Sequence, residues 1–331
     1  MNPPWLDDSE SEDDEDWMAE NLLKYKHLFT YKMEHLPLLL KIHPEGSKVV
    51  IVSQKKTGRF EVLVFKLPAK LMTIDPKEEG LLNSRELSVI GGVHLEHLSI
   101  LDVDFVPGKD CSIMILGDGK LEIYELEADS DLLALKHSFR QVKNAKFIRV
   151  VAKEKVIAVC DDDKHYVINC ADFTFCSFVS KDLLDFDLTS GLACDTLTIF
   201  NNEFEPIHEH KLNLMKSGRI KVIDQETVLL ALIDEQEHLF SASLKSKAIS
   251  QRQSTLNLKK DSKLAWACDG KFLVYSEGKK VQIVDWTEDR LVFAHECSKK
   301  ASKVTAVEVH PKLNRVIICA DDSKAVQAFW F

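Results

Sequence analysis

The chain has 331 residues, 45% of them hydrophobic, and its 53 acidic against 43 basic residues give a formal charge of −10. That balance, without a dominating basic patch, argues against a nucleic-acid-binding surface, and no apolar stretch approaches the ~20 residues of a membrane span. The acidic N-terminus is the opposite of a secretory signal, so a cytoplasmic protein is expected.

Residues 7–16 hold eight acidic side chains and no basic one, so removing them moves the charge from −10 to −2. A like-charged run of this kind cannot bury apolar surface, and residues 1–16 are expected to be a disordered arm. Ser9 and Ser11 each have an acid three positions on, Glu12 and Asp14, the pattern of acidophilic kinase substrates. A solubilising tail and a regulated interaction arm both fit. Residues 17–26 have helical spacing, with Trp17, Asn21 and Lys24 on one line, Met18, Leu22 and Tyr25 on another, and Asp16 placed to cap them.

From residue 27 onward one grammar repeats: an alternating strand, an apolar strand, a polar turn and a third strand. First strands begin near Leu36, Ile100, Ala145, Leu183, Gly218 and Ser262. The second and third strands fall at 48–53 with 60–67, 111–116 with 120–126, 156–160 with 165–170, 191–193 with 196–201, 227–233 with 238–244, and 272–276 with 281–286. A last unit occupies 303–311, 315–320 and 325–330, and the chain then stops with that sheet one strand short. The aromatic-rich segment 27–33 is the candidate to cover the open edge. Seven such units closed in this way predict an all-β fold, a single seven-bladed β-propeller over 27–331.

Asp285-Trp286 ends one third strand where WD repeats carry their dipeptide, and Phe65, Tyr124, Phe200, Phe240 and Phe329 end others. The Gly-His pair of a standard repeat is missing, so the repeats resemble a diverged WD propeller in which Asp285 and Trp286 are structural and Trp286 packs between blades.

Little in the chain carries chemistry. His94, His97, His208 and His210 lack a third ligand at metal-site spacing and read as solvated loop residues. Asp161, Asp162 and Asp163 stand at a strand turn, and Gly117-Asp118-Gly119 reads as a hairpin turn. The eight cysteines read as thiols, with Cys111, Cys160, Cys268 and Cys319 in or beside apolar strands. No catalytic, cofactor or metal residues are assigned. The first strands offer Asp102, Asp104, Asp185, Asp187, Glu308 and His310 to a central channel, which leaves an acidic channel mouth open as the alternative to a plain binding scaffold.

Loops joining second to third strands share a face with the connections between blades. That face gathers Lys259, Lys260, Lys279, Lys280, Lys299, Lys300, Lys303 and Lys324 from the last blades, with Lys55, Lys56 and Arg59 across the closure. Asp118, Asp161, Asp162 and Asp163 are placed opposite. Such a face suits an acidic protein partner.

Asp16-Trp17 with Leu22, Leu23 and Tyr25, then Phe65-Lys66-Leu67-Pro68, Gly91-Gly92 and the run Glu127 to Asp131 resemble the WD repeat-containing protein 73 family over residues 14 to 140. The chain departs from that family in ending Phe329-Trp330-Phe331, where a Trp-Asp-Trp-like close is expected. The resemblance implies a non-enzymatic scaffold, cytoplasmic and partly nuclear or spindle-associated, tied to spindle and microtubule organisation and to neural development. It also implies protein partners, the Integrator RNA endonuclease module and its HEAT-repeat escort, with the chain a monomer inside a hetero-complex. The alternative drawn from the arm is a chaperone for basic proteins such as histones.

Overall fold

The computed structural model describes residues 26–73 and 87–331, except 129, 153, 161–162, 181–182, 188–189, 194, 202, 212–214, 223–227, 235–238, 244–247, 253–261, 268–269, 289 and 314. The acidic arm with Ser9 and Ser11 and the helix expected over 17–25 lie outside the described residues, as do Asp161, Asp162, Lys259, Lys260 and Cys268. Lys26, expected to end that helix, instead opens strand β1 (Lys26–Lys32), because the residues after it are drawn into backbone pairing with the last strand of the chain.

Four-stranded antiparallel sheets follow one another along the chain. The first holds β2 (Leu36–Ile42), β3 (Lys48–Gln54), β4 (Phe60–Lys66) and β5 (Ser88–Leu95). The second holds β6 (Ile100–Phe105), β7 (Ser112–Gly117), β8 (Lys120–Leu126) and β9 (Leu133–Phe139). The third holds β10 (Ala145–Ala152), β11 (Lys155–Cys160), β12 (Lys164–Asn169) and β13 (Phe175–Val179), and the fourth β14 (Leu183–Asp187), β15 (Ser190–Ala193), β16 (Thr196–Phe200) and β17 (Pro206–Lys211). The fifth holds β18 (Met215–Val222), β19 (Val228–Asp234), β20 (Leu239–Ser243) and β21 (Ala248–Arg252). The sixth holds β22 (Leu264–Ala267), β23 (Phe272–Glu277), β24 (Lys280–Asp285) and β25 (Arg290–Glu296). The seventh sheet among the described residues joins β26 (Val304–Val309), β27 (Val316–Asp321) and β28 (Ala325–Trp330) to β1.

The first strand of each sheet is innermost, each neighbours the next around the molecule, and β26 returns to β2. The fold is an all-β propeller, and its one named helical element among the described residues is a 3₁₀ turn at Ala69–Thr73. Second strands are continuously apolar because a blade's middle is covered on both faces by its neighbours. Val50 and Val52 in β3, Ile113 to Leu116 in β7, and Val156 to Cys160 in β11 are all fully buried. Outer strands have a solvent side instead, and Phe175, Val179, Ile207 and Leu291 are exposed there.

At the seam, β1 pairs antiparallel with β28 from Lys26↔Trp330 to Lys32↔Ala325. A bulge between His27 and Phe29 lets both Leu28 and Phe29 turn into the core shared by β2, β3 and β26 to β28. Related bulges recur near the start of innermost strands, at Pro37/Leu39, Ile100/Asp102, Ala145/Phe147, Leu183/Asp185, Met215/Ser217 and Val304/Ala306. A bulge re-aims the residue that follows it, which is how β6 and β14 turn Asp102 and Asp185 toward the next blade.

Strand directions place the β3–β4, β7–β8, β23–β24 and β27–β28 turns and the connections between blades on one face, here the upper face. Turns from first to second strands lie on the lower face, where two matching latches join neighbouring blades. His310 donates from Nε2 to the Gly46 carbonyl at 2.9 Å while its Nδ1 accepts the Lys312 and Leu313 amides, and Lys312 pairs with Glu45. One blade on, the His43 ring hydrogen-bonds the Lys109 backbone, its Nδ1 accepts the Glu45 amide, and Lys48 pairs with Asp110. Gly46 is required at its corner, since it has φ +74° and a Cβ there would lie 2.2 Å from His310 Cε1.

Two of the motifs behind the family resemblance, Gly91-Gly92 and the run ending at Asp131, meet in space. The Gly92 amide donates to the Asp131 carbonyl at 2.9 Å, Gly92 bridges Leu132, and a Cβ on Gly91 would meet Leu126 at 2.6 Å. The glycine pair thus lets the outer edges of the first two blades touch.

Candidate interaction face and channel

The upper face is organised by aspartates at the turns between second and third strands. Asp118, at φ 50°, accepts the Leu98 and Ser99 amides at 2.9 Å each and lies 3.1 Å from His97 Nδ1. Asp322 does the same for Ser302 and Lys303, whose amides lie 2.8 and 3.2 Å away. Each carboxylate staples the incoming connection to its own blade. Burial opposes ionisation of Asp118 and Asp322, but these donors overcome it and hold both carboxyls below the usual range. Gly117-Asp118-Gly119 is the hairpin turn expected from the sequence, and Asp118 adds this staple to it. His97 is also not a solvated loop residue: it is buried, with Nε2 3.0 Å from Glu122, which in turn accepts from Tyr124. Only the preceding glycine of a Gly-His pair is lacking.

Asp285 caps the turn after its strand, accepting the Thr287 and Glu288 amides at 2.9 and 3.1 Å. Trp286 is buried and stacks edge-on against Trp266 with centroids 5.1 Å apart. Its described apolar neighbours, Leu264, Trp266, Leu273, Tyr275 and Val284, belong to its own blade.

The basic residues divide by pairing. Lys279 pairs with Glu296, Lys55 with Glu61 and Arg59 with Glu96, and Lys324 donates to the Glu34 carbonyl. Lys280, Lys299, Lys300 and Lys303 are exposed and make no ion pair among the described residues, and Lys56 is exposed beside them. The sector opposite is mixed, because exposed Arg140 and Lys143 occupy the β9–β10 connection on the same face as Asp118 and Asp163.

The channel departs from the acidic mouth left open as the alternative. Arg149 on β10 donates from Nε to Asp185 at 2.8 Å and from Nη1 to Asp102 at 3.3 Å, lying over the Phe147 ring. The two aspartates also accept the Ile220 and Ile148 amides of the next blades. Burial works against the guanidinium charge, yet the Asp185 and Asp102 carboxylates hold it protonated above its ordinary range. Lys41 pairs with Glu308. Burial pushes Asp104 up to about 6 against the pull of Lys41. His310 leaves the channel altogether for the lower-face latch. A single arginine in an otherwise β-type segment gave no sequence signal of this network.

Among the described residues no group of three or more His, Cys, Asp or Glu could hold a metal ion, and no helix is long and apolar enough to cross a membrane. The described cysteines are free thiols, and Cys297 and Cys319 lie 3.8 Å apart between the last two blades.

The fold and face define a β-propeller. No protein-family model matches the chain. It is 29% identical over 130 residues to the Integrator complex assembly factor WDR73 of Danio rerio, a match covering 39% of this chain and spanning 33% of that protein's length.

Proposed function

We propose that this chain is a seven-bladed propeller of WD type, closed by β1, that serves as a non-catalytic scaffold in assembling a multi-protein complex. The sheet count and the β1–β28 pairing support the architecture. The name of the partial relative supports complex assembly, with Integrator subunits as the first partners to test. A HEAT-repeat escort and a spindle or microtubule role rest on the sequence resemblance alone, and so does a cytoplasmic, partly nuclear location.

The observation that carries the reading is the set of exposed lysines 280, 299, 300 and 303, which make no ion pair among the described residues and share the upper face. They fit an acidic segment of a partner protein. The channel carboxylates of Asp102, Asp185 and Glu308 are committed to Arg149 and Lys41, which speaks for binding over catalysis.

Affinity capture from cytosol and mass spectrometry tests the reading, using the full chain and a variant reversing Lys279, Lys280, Lys299 and Lys300 to Glu. Integrator subunits enriched by the full chain and lost from the variant are expected. Capture of histones that depends on residues 1–16 would overturn it in favour of the acidic-arm chaperone.

A further inference from the structure

Thr305 and Trp266 line the channel with donors that no described residue satisfies. Thr305 is only 7% exposed, and neither its hydroxyl nor the buried Trp266 indole N–H has a hydrogen-bond partner among the described residues. Leaving a buried donor unmet is costly, so such groups in a native fold call for an explanation. Both residues line the central cavity of about 690 Å³. Thr305 also lines an adjoining cleft of about 380 Å³ whose other walls include Leu36, Leu38, Gly278 and Lys303.

The chemistry of the two sides of the channel differs. From β2 to β14, Asp102 and Asp185 are matched by Arg149 and by backbone amides, and Lys41 pairs with Glu308. From β18 to β26 the surplus consists of donors: an indole N–H that can only donate, a hydroxyl, and the ammonium groups of Lys221 and Lys303, neither of them ion-paired among the described residues. Glu277 also lines the cleft, but its carboxylate already accepts from Gln282. What the site lacks is an acceptor, and the lysines above it favour one that is negatively charged.

We propose that the part of the central cavity between β22 and β26 is a subsite for a glutamate or aspartate side chain of an acidic partner peptide. Its carboxylate would meet Thr305 Oγ1 and Trp266 Nε1, and its methylenes would lie against Leu38, which lines the same cavity. The proposal rests on the reading of the upper face as the partner surface and names what that face recognises. The chain's own acidic arm is poorly placed to fill the subsite, because β1 starts beside Trp330 on the lower face and runs upward.

The test is fluorescence anisotropy with a fluorescein-labelled hexaglutamate peptide and a hexaglutamine control. The proteins are the full chain, Thr305→Val, Trp266→Phe and the quadruple lysine reversal, each checked by thermal melting. Thr305→Val keeps the shape of the side chain, so it reports on the hydroxyl without a large change in packing. The full chain is expected to bind hexaglutamate over hexaglutamine, and Thr305→Val and Trp266→Phe each to weaken it by roughly tenfold, as loss of a bond to a charged group does. The quadruple variant should weaken binding and flatten its salt dependence. Unchanged binding by Thr305→Val alongside a weakened quadruple variant would overturn the subsite and leave the face reading standing. Unchanged binding by the quadruple variant would overturn the face reading, and equal binding of the two peptides would overturn both. If a chain lacking residues 1–16 bound hexaglutamate about tenfold more tightly, the arm would be the occupant and the proposal would fall.

Discussion

The seam where the two ends of the chain meet and the sector around Arg149 join blades by different physics. The seam uses β1–β28 backbone pairing, the apolar Leu28 and Phe29, and neutral histidine latches on the lower face. The Arg149 sector uses one buried cation held by two carboxylates that also accept backbone amides. A closure made between distant parts of the chain gains from many cooperative backbone bonds, whereas neighbouring blades can be fixed by one side chain. The price in the second case is sensitivity to a single residue.

The comparison breaks most completely at the seam. Deleting residues 1–33 should expose the edge of β28 and the apolar residues under β1, giving aggregation in light scattering. Deleting 1–13 should leave the melting temperature nearly unchanged.

In the other sector, Arg149→Met leaves Asp102 and Asp185 buried without their cation. Breaking one partner of a buried pair costs about 3–5 kcal/mol, to be read from the midpoint of chemical unfolding. A loss below about 1 kcal/mol would mean that the backbone amides alone satisfy the carboxylates. Trp286→Ala removes a buried indole from one blade, and large-to-small changes of that kind cost about 3–5 kcal/mol. Normal melting would show that the Asp285 turn holds this blade without the ring.

Smaller effects separate the two regions more finely. Gly46→Ala meets both the +74° φ and the His310 ring, and should cost about 1–3 kcal/mol by thermal unfolding. Acid should then act in opposite directions. Burial pushes His310 and His43 below their ordinary range, against the Gly46 carbonyl for His310. Both rings accept amides at Nδ1, so they must be neutral in the fold. A histidine pKa lowered by folding gives stability that is complete above about 6.5 and lost as pH falls from there. Asp104, raised to about 6, has the opposite sign, and its contribution grows as pH falls through 6. Unfolding between pH 7 and 5 should therefore show a flatter acid loss in His310→Gln and a steeper one in Asp104→Asn. Parallel profiles for all three proteins would remove the distinction.

Second strands were plain in the sequence because both their faces are covered, and 48–53 and 272–276 match Lys48–Gln54 and Phe272–Glu277 closely. Outer strands such as β13 and β17 were not, since Phe175 to Val179 buries only Phe178, and Pro206 to Lys211 mixes exposed apolar and charged residues without a period. The aspartate staples escaped for a different reason. Their signal is a recurring distance, 19 residues from Ser99 to Asp118 and 20 from Ser302 to Asp322, rather than a local motif. The unmet donors of Thr305 and Trp266 come from strands 39 residues apart, and only the ring brings them to one cavity.

The central claim is that the lysines of the upper face receive an acidic partner. It is tested most directly by the association rate of the captured partner with the chain and with the properly folded reversal of Lys279, Lys280, Lys299 and Lys300, across a range of ionic strength. The account predicts slower association and a weaker salt dependence in the variant, with an unchanged melting temperature. Identical association kinetics in the folded variant would contradict it.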